Sequence, residues 1–558
     1  MSNVYSEAFE AWQDARVRFK AALKVYSDAC SVFRVMCSGP LVQNTTQSML
    51  EGVMVALDNE IPGMASDIEQ VRSANWAVNL VRNKSTTLVP INILPAELLT
   101  RIFESLCYSR EILGEMGQLL RSPWTLAWVN TYWRQLAFSN SYLWARIHMP
   151  TWAKLRGQPY KQARTQLTYA RNLPLDVMLD STKEKVAAKI MSHRATEELF
   201  CKVVPRLRSL AYDEGDSASY SVKNVLFHWI QYGTPGTTYY LDLRLLDKGS
   251  SPSNDLRLKI QSSSTPIERI EAFFAPVQHL ALHNQYIGWS SALYHGLIEL
   301  DLFFYPKFDH FPTASEFAAM LSASPCLRAL KLRGFGLQLQ NSLDTVEPIR
   351  LDCLEVLFLG DIRSRSLHPL LPMFQPGSLP LYMRFNIPKQ SADIVHYVQL
   401  LRRSSVVKLM VVGNGCRLPR SLLAFLSGLE YLCLCNLVLD ISLWASMRES
   451  LISYANEQYP SVWPSLRTLH LHECTLHISE SQPHHNNSTP YSFMLWIWNG
   501  SLFHETDRLF IEKGSVRGQT ILRSFSSYVP GMQEVQNDKS ILLEAWGSAL
   551  GFAPYSIK

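Results

Sequence analysis

The densest cluster of groups able to bind a metal is His470-Leu471-His472-Glu473-Cys474, followed by His477 and then His484-His485. Two histidines two apart on a strand share a face, so with a third donor they could grip a zinc-like ion. The same stretch has a competing, purely structural explanation. Leu466, Leu469, Leu471, Cys474 and Leu476 follow the spacing L-x-x-L-x-L-x-x-C-x-L, in which the cysteine place takes a small buried side chain. That pattern accounts for the strand without an ion, so neither metal nor cofactor is expected. The chain also lacks a phosphate-binding Gly-x-x-x-x-Gly-Lys-Ser/Thr loop, a Gly-x-Ser-x-Gly elbow, a His-Glu-x-x-His helix and a dinucleotide glycine fingerprint. A non-catalytic protein is expected; an enzyme with its site in a cleft among the repeats is an alternative.

The leucine phrase of residues 466–476 is the last of a series that must position any functional surface. Earlier copies are Leu207-Leu210, Val277-Leu280-Leu282, Leu297-Leu300-Leu302, Leu327-Leu330-Leu332, Leu354-Leu357-Leu359 and Leu429-Leu432-Leu434. Weaker copies at Tyr240 to Leu243, Leu381 to Phe385 and Val406 to Val411 fall in several of the gaps. Helical stretches such as Ala314 to Leu321 and Leu422 to Leu426 lie between. This resembles a leucine-rich repeat of irregular length, which implies one strand and one helix per unit, stacked into a curved solenoid over residues 201–558. Ser540 to Leu550 reads as a closing helix. In such strands the leucines point inward and the residues between them form the open, concave face. Those positions include His283, Asp301, Phe303, Lys331, Arg333, Phe358, His470 and His472, and their mix of charge and aromatics suits a protein partner.

Ahead of the repeats, residues 90–149 read as a small all-helical module. Pro95 suits the first turn of a helix, Glu97 favours the helix dipole, and Leu98, Leu99, Ile102, Phe103 and Leu106 form a broad apolar face. A second stretch from Trp124 to Phe138 sets Leu126, Val129, Trp133 and Leu136 at helical spacing, and Leu143-Trp144 follows. So small a core cannot hide that much apolar surface, so part of it should face a partner.

Leu94-Pro95-x-Glu97-Leu98-Leu99-x-x-Ile102-Phe103-x-x-Leu106, then Val129-Asn130-x-x-Trp133-Arg134-x-Leu136-Ala137 and Leu143-Trp144, resembles an F-box, particularly the F-box-like domains of mushroom-forming fungi. Pro90-Ile91-Asn92 just before it fits that family, and repeat arrays commonly follow F-boxes. The resemblance implies docking on a Skp-type adaptor, and through it a cullin-RING ubiquitin ligase, by way of Leu94, Pro95, Leu98 and Ile102. Leu99, Phe103, Leu106, Val129, Trp133, Leu136, Leu143 and Trp144 would form the module's core. The repeats would then hold a target protein. One departure is the longer passage after Leu106, through Glu111 to Gly117, which would reshape the docking edge. A non-ligase interaction scaffold is the other reading.

Residues 1–84 read as a helical hairpin. Tyr5, Ala8, Trp12, Ala15, Phe19, Ala22, Tyr26, Ala29, Phe33 and Met36 line one helical face that ends at Gly39-Pro40. Leu50, Val53, Leu57, Met64, Ile68, Val71 and Val78 line a second, which Pro62-Gly63 should kink or divide. Residues 150–200 are expected to be connecting helices. The fold class is therefore mixed α and β: hairpin, helical module, then solenoid.

Composition agrees with a folded chain: of 558 residues, 47% are apolar and only 18% charged. A net charge of +5 without a long basic run argues against a nucleic-acid partner. The opening MSNVYSEAFEAW lacks the apolar stretch of an export leader, and no apolar run is long enough to span a bilayer. The ten cysteines show no C-x-x-C pair and read as reduced thiols. A cytoplasmic or nuclear location without membrane contact is expected.

Overall fold

In a computed structural model of the chain, the residues described are 2–38, 47–84, 90–108, 123–150, 158–181, 197–214, 221–245, 256, 265–338, 347–388, 390–419, 422, 428–440, 467–477, 508–512, 515–516 and 519–520. They divide into two units, Met1–Pro95 and Ala96–Lys558. The segment Glu111 to Gly117, the helical stretch after Leu422, His484-His485 and the expected closing helix lie outside the described residues.

The first unit consists of α1 (Ser2–Ser38), α2 (Gln47–Lys84) and a 3-10 turn at Pro90–Ile93. The Tyr26 hydroxyl meets Met64 Sδ at 3.3 Å, so the two helices touch. The link at 39–46 is too short for α2 to run parallel to α1 with those two residues in contact, which makes the pair a hairpin. Of the kink or division expected at Pro62, the division does not occur: α2 is continuous across it. A proline removes one intrahelical bond without having to end a long helix.

The second unit opens with four helices: α3 (Ala96–Tyr108), α4 (Pro123–Val129), α5 (Thr131–Ser139) and α6 (Ser141–Trp144). Asn130 and Asn140 explain the two breaks. Each side chain accepts a backbone N–H of the helix it starts, from Trp133 at 2.7 Å and from Tyr142 at 3.0 Å. Trp144 is fully buried and donates its indole N–H to the Ala137 carbonyl at 2.7 Å. Around it pack Phe138, Trp124 and Tyr169, with ring centres 4.9 to 5.2 Å away.

Strands follow: β1 (Arg146–Pro150), β2 (Leu175–Asp180) after α7 (Gln158–Tyr169), β3 (Leu207–Glu214), then α8 (Val222–Tyr232) and β4 (Tyr240–Leu245). Next come α9 (Ile267–Phe274), β5 (His279–His283), β6 (Glu299–Phe303), α10 (Ala314–Ser322) and β7 (Ala329–Arg333). The series continues with β8 (Ile349–Leu351), β9 (Val356–Gly360), α11 (Ser364–Met373), β10 (Phe374–Pro376), β11 (Leu381–Asn386) and α12 (Ile394–Arg402). It closes with β12 (Val406–Arg417), β13 (Tyr431–Asp440), β14 (Thr468–His472), β15 (Thr475–His477), β16 (Arg508–Glu512), β17 (Ser515–Val516) and β18 (Gln519–Thr520).

Apart from β8 and β10, which pair with each other, these strands form one sheet in which neighbours succeed one another in chain order. Every described pairing is parallel except β17 with β18. The sheet therefore starts at Arg146, well before the expected residue 201, and the stretch expected to be connecting helices contributes β2. Short strands followed by polar, partly helical links gave β1 and β2 no leucine phrase to announce them.

Register shows why the leucine phrase works. Leu241, Leu280, Leu300, Leu330, Leu357, Met383, Leu409, Leu432 and Leu469 lie side by side across nine strands, and all are buried. Burying each such side chain contributes about 1.5–3 kcal/mol, which no single strand could realise without its neighbour. The helices between strands also pack on one another, α8 on α9, α10 on α11 and α11 on α12. A second recurrence marks the ends of five of these strands or paired segments. Asn284, Gly334, Asp361, Asn436 and Glu473, each directly after its strand or its paired segment, hold φ between 48° and 61°. Asn, Asp and Gly tolerate that left-handed conformation. Gly334 is also required by space, since a Cβ there would lie 2.0 Å from the Phe304 carbonyl oxygen.

Candidate functional site

Two surfaces stand out: one on the helices of residues 96–145, the other on the open face of the sheet. In α3 the side chains separate sharply. Leu99 and Phe103 are 0% exposed and Cys107 joins them, whereas Leu98, Ile102 and Leu106 are 48%, 37% and 47% exposed. The first three positions share one stripe at spacing four and the second three share the next stripe, so a face as broad as the sequence suggests is split between core and solvent. Phe103 packs on Trp133 at 4.8 Å, while Leu143 and Trp144 complete the core. Trp133 and Leu136 are half-buried.

Leu106 and Val129, both expected in this core, are instead exposed, Val129 by 47% beside Trp128 at 72%. Cys107 takes the place expected for Leu106, and Leu126 and Ala127 take that of Val129. Among the residues expected to dock, Leu98 and Ile102 lie on the exposed stripe of α3. In the first unit Leu94 is half-buried and Pro95 exposed.

On the sheet, outward residues form rows because parallel strands keep matching positions in register. The middle row runs Asp242, Ala281, Asp301, Lys331, Phe358, Arg384, Met410, Cys433 and His470. The next outward row holds Arg244, His283, Phe303, Arg333, Gly360, Asn386, Val412, Cys435 and His472. All eight sequence-predicted surface residues therefore lie on this one face. They are not all free, however. His283, Asp301, Lys331 and His470 are buried, and only Phe303, Arg333, Phe358 and His472 keep intermediate exposure. In a tight array each side chain is covered by larger ones on adjacent strands, which single-strand reasoning cannot show.

From β2 to β7 the charges of the face answer one another. Arg208 grips Asp176 with both nitrogens, at 3.0 and 2.5 Å. Arg244 does the same to Asp242, at 2.8 and 2.5 Å, with Asp213 at 3.8 Å. Burial pushes the Asp213 carboxyl up to about 6, against the pull of Arg244. Lys331 reaches Glu299 at 2.5 Å and His279 approaches the same carboxylate at 3.3 Å. Burial would raise Glu299, but the His279 hydrogen bond and the Lys331 charge outweigh it and bring it to about 2. Arg333 donates to both oxygens of Asp301, at 2.9 and 3.1 Å, and lies 3.3 Å from His283 Nε2. Against its burial, Arg333 and His283 hold Asp301 well below the usual carboxylate range. Burial lowers His283, so Arg333 is the cation that matters there.

Beyond β7 the face becomes aromatic and apolar. Arg333 lies over Phe303 at 4.8 Å and Arg384 over Phe358 at 4.4 Å. Met410, Cys433 and Cys435 are buried together, with Val412 and Tyr431 against them. Tyr382, Arg384, Lys408 and Met410 were within reach of the sequence, since the two weaker leucine phrases place them between inward residues. At the last phrase, burial and the neighbouring His472 lower His470 to about 4, and its Nδ1 lies 3.1 Å from the Tyr431 hydroxyl. Cys474 is buried as the spacing requires, and burial pushes its thiol up to about 12. Among the described residues no group of three His, Cys, Asp or Glu is placed to hold a metal ion, and no helix is long and apolar enough to cross a membrane. Comparison with models of protein families and with curated proteins finds no match for this chain.

Proposed function

We propose that this protein is an F-box-like target receptor, a non-catalytic subunit that docks on a Skp-type adaptor of a cullin-RING ubiquitin ligase and carries a target protein on a leucine-rich-repeat-like solenoid. The observation that supports it best is the solvent-facing stripe Leu98, Ile102 and Leu106 on a helix whose adjacent stripe, Leu99, Phe103 and Cys107, is buried. Large apolar groups left in water on a well-packed module are what an obligate partner surface looks like before its partner arrives. The exposure of Trp128 and Val129 on α4 adds to the same surplus. The parallel sheet in chain order suits the second half of the reading, because a one-strand-per-unit array leaves one face open along its whole length. In this role the protein raises the local concentration of a target's lysines near a charged conjugating enzyme and needs no catalytic group of its own.

The test is co-expression with a fungal Skp-type adaptor, followed by pull-down and size-exclusion chromatography of the parent and of Ile102→Asp, Leu98→Asp and Pro95→Ala. A complex formed by the parent and lost in Ile102→Asp, with an unchanged circular-dichroism spectrum, is the expected result. No complex from folded parent protein removes the ligase from the reading and leaves an interaction scaffold.

A further inference from the structure

Among the described residues, charge pairing on the open face stops after β7. Arg208, Arg244, Lys331 and Arg333 each have a carboxylate within 2.9 Å. The next two outward cations, Arg384 on β11 and Lys408 on β12, have no ion pair among the described residues. They are close to each other: Arg384 is level with Met410, and Lys408 is level with Tyr382 two residues back along β11. Diagonal neighbours of this kind lie about 7–8 Å apart, close enough for two long side chains to converge on one ligand. Asp361, an acid whose charge acts on Arg384, accepts a hydrogen bond from Asn386 at 2.9 Å.

Nor are these cations simply dissolved in water. Arg384 is only partly exposed, with its guanidinium stacked on Phe358 at 4.4 Å and its Nε buried without an acceptor. Lys408 is half-buried with its ammonium 4.6 Å from the centre of the Tyr382 ring. Aromatic faces hold a cation in place but supply no hydrogen-bond acceptor. Desolvation without a counter-charge destabilises the charged form, and Arg384 is accordingly pulled below the ordinary arginine range by its burial. Next to the pair begins the apolar patch of Met410, Cys433, Cys435, Val412 and Tyr431.

We infer that Arg384 and Lys408 form an acid-reading site, which takes the side-chain carboxylates of an acidic segment of a partner protein while an adjacent apolar residue of that segment rests against Val412 and Tyr431. Arg384 offers a planar, pre-oriented fork for a bidentate carboxylate and Lys408 a mobile point charge for a second. The paired cations of β3 to β7 are already neutralised and add little to such a choice. This inference rests on reading the open face as the target surface and is independent of adaptor docking.

The experiment uses the full chain and fluorescence anisotropy with three labelled peptides: alternating Glu and Leu, the same with Gln for Glu, and the same with phosphoserine for Glu. The Glu peptide is expected to bind about tenfold or more tighter than the Gln peptide, with that preference weakened by salt. Arg384→Met is expected to abolish the preference and Lys408→Met to reduce it severalfold. The second side chain is half-exposed, so that variant decides the matter if the first does not fold. Equal binding of Glu and Gln peptides, or a preference that survives both substitutions, overturns the acid-reading site and leaves the face as a target surface. Binding of the phosphoserine peptide alone overturns the assignment to carboxylates. Failure to bind any of the three removes both the site and the target-surface reading.

Discussion

The open face of the sheet is built in two different ways along its length. From β3 to β7 Arg208, Arg244, Lys331 and Arg333 each have a carboxylate within the same face, so the cations of this stretch are satisfied internally. From β11 to β13 two cations that have no carboxylate among the described residues stand beside an apolar patch, so this stretch gains most from something added. A buried pair is neutral and shaped, which makes it a support for the fold more than a reader of partners. Desolvated cations and apolar side chains next to one another have the opposite character, because a ligand relieves both deficits at once.

Breaking a pair in the first stretch should therefore be costly. Asp301→Ala leaves Arg333 buried beside His283 without its carboxylate, and a loss of about 3–5 kcal/mol is expected in urea unfolding. Retention of full stability would mean that the charges of β4 to β7 are solvated after all, and the contrast would collapse.

The next largest effect is one of pH. Asp213 is pushed up to about 6 from an ordinary 3.8, with Arg244 opposing and Asp242 and Asp180 reinforcing the shift. The folded chain then holds a proton that the unfolded chain has lost between about pH 4 and 6, so this group's contribution falls as pH rises through that window. Glu299 works the other way. Lowered from 4.5 to about 2, it contributes fully above pH 4.5 and the contribution is lost as pH falls towards 2. Thermal melts against pH should rise from pH 2 to about 4.5 and then decline towards 6. Asp213→Asn should remove the decline and gain about 2–3 kcal/mol at pH 7 with no gain at pH 4.

In the second stretch the sign reverses. Arg384→Met replaces a desolvated cation that has no ion pair among the described residues by an apolar chain, and a gain of about 1 kcal/mol is expected by chemical denaturation. A loss comparable to that of Asp301→Ala would show that Arg384 has an internal partner. Smallest of all, Lys408→Ala should shift stability by less than about 0.5 kcal/mol, since among the described residues its ammonium is held by the Tyr382 ring and by no carboxylate.

Much of this was legible in the sequence, though unevenly. The helical hairpin, α3 directly after Pro95, α10 over Ala314–Ser322 and the buried cysteine at 474 all appear where local spacing puts them. Leu106 and Val129 were misplaced because spacing identifies an apolar face, and cannot say which half of a broad one meets the core. His283, Asp301 and Lys331 were rightly assigned to the outward face, yet they are buried in it by partners on neighbouring strands. Asn284, Gly334, Asp361 and Asn436 carried a signal that went unused: the recurrence of left-handed-tolerant residues just after four of the phrases.

The sequence alone determined which residues of each strand point inward, because side chains alternate along a strand whatever lies beside it, and the leucine phrase follows that alternation. Only the tertiary structure decided which outward charges would be satisfied. Arg333 and Asp301 are 32 residues apart, and their pairing exists because β6 and β7 stack in one register, a relation between strands that neither strand encodes by itself.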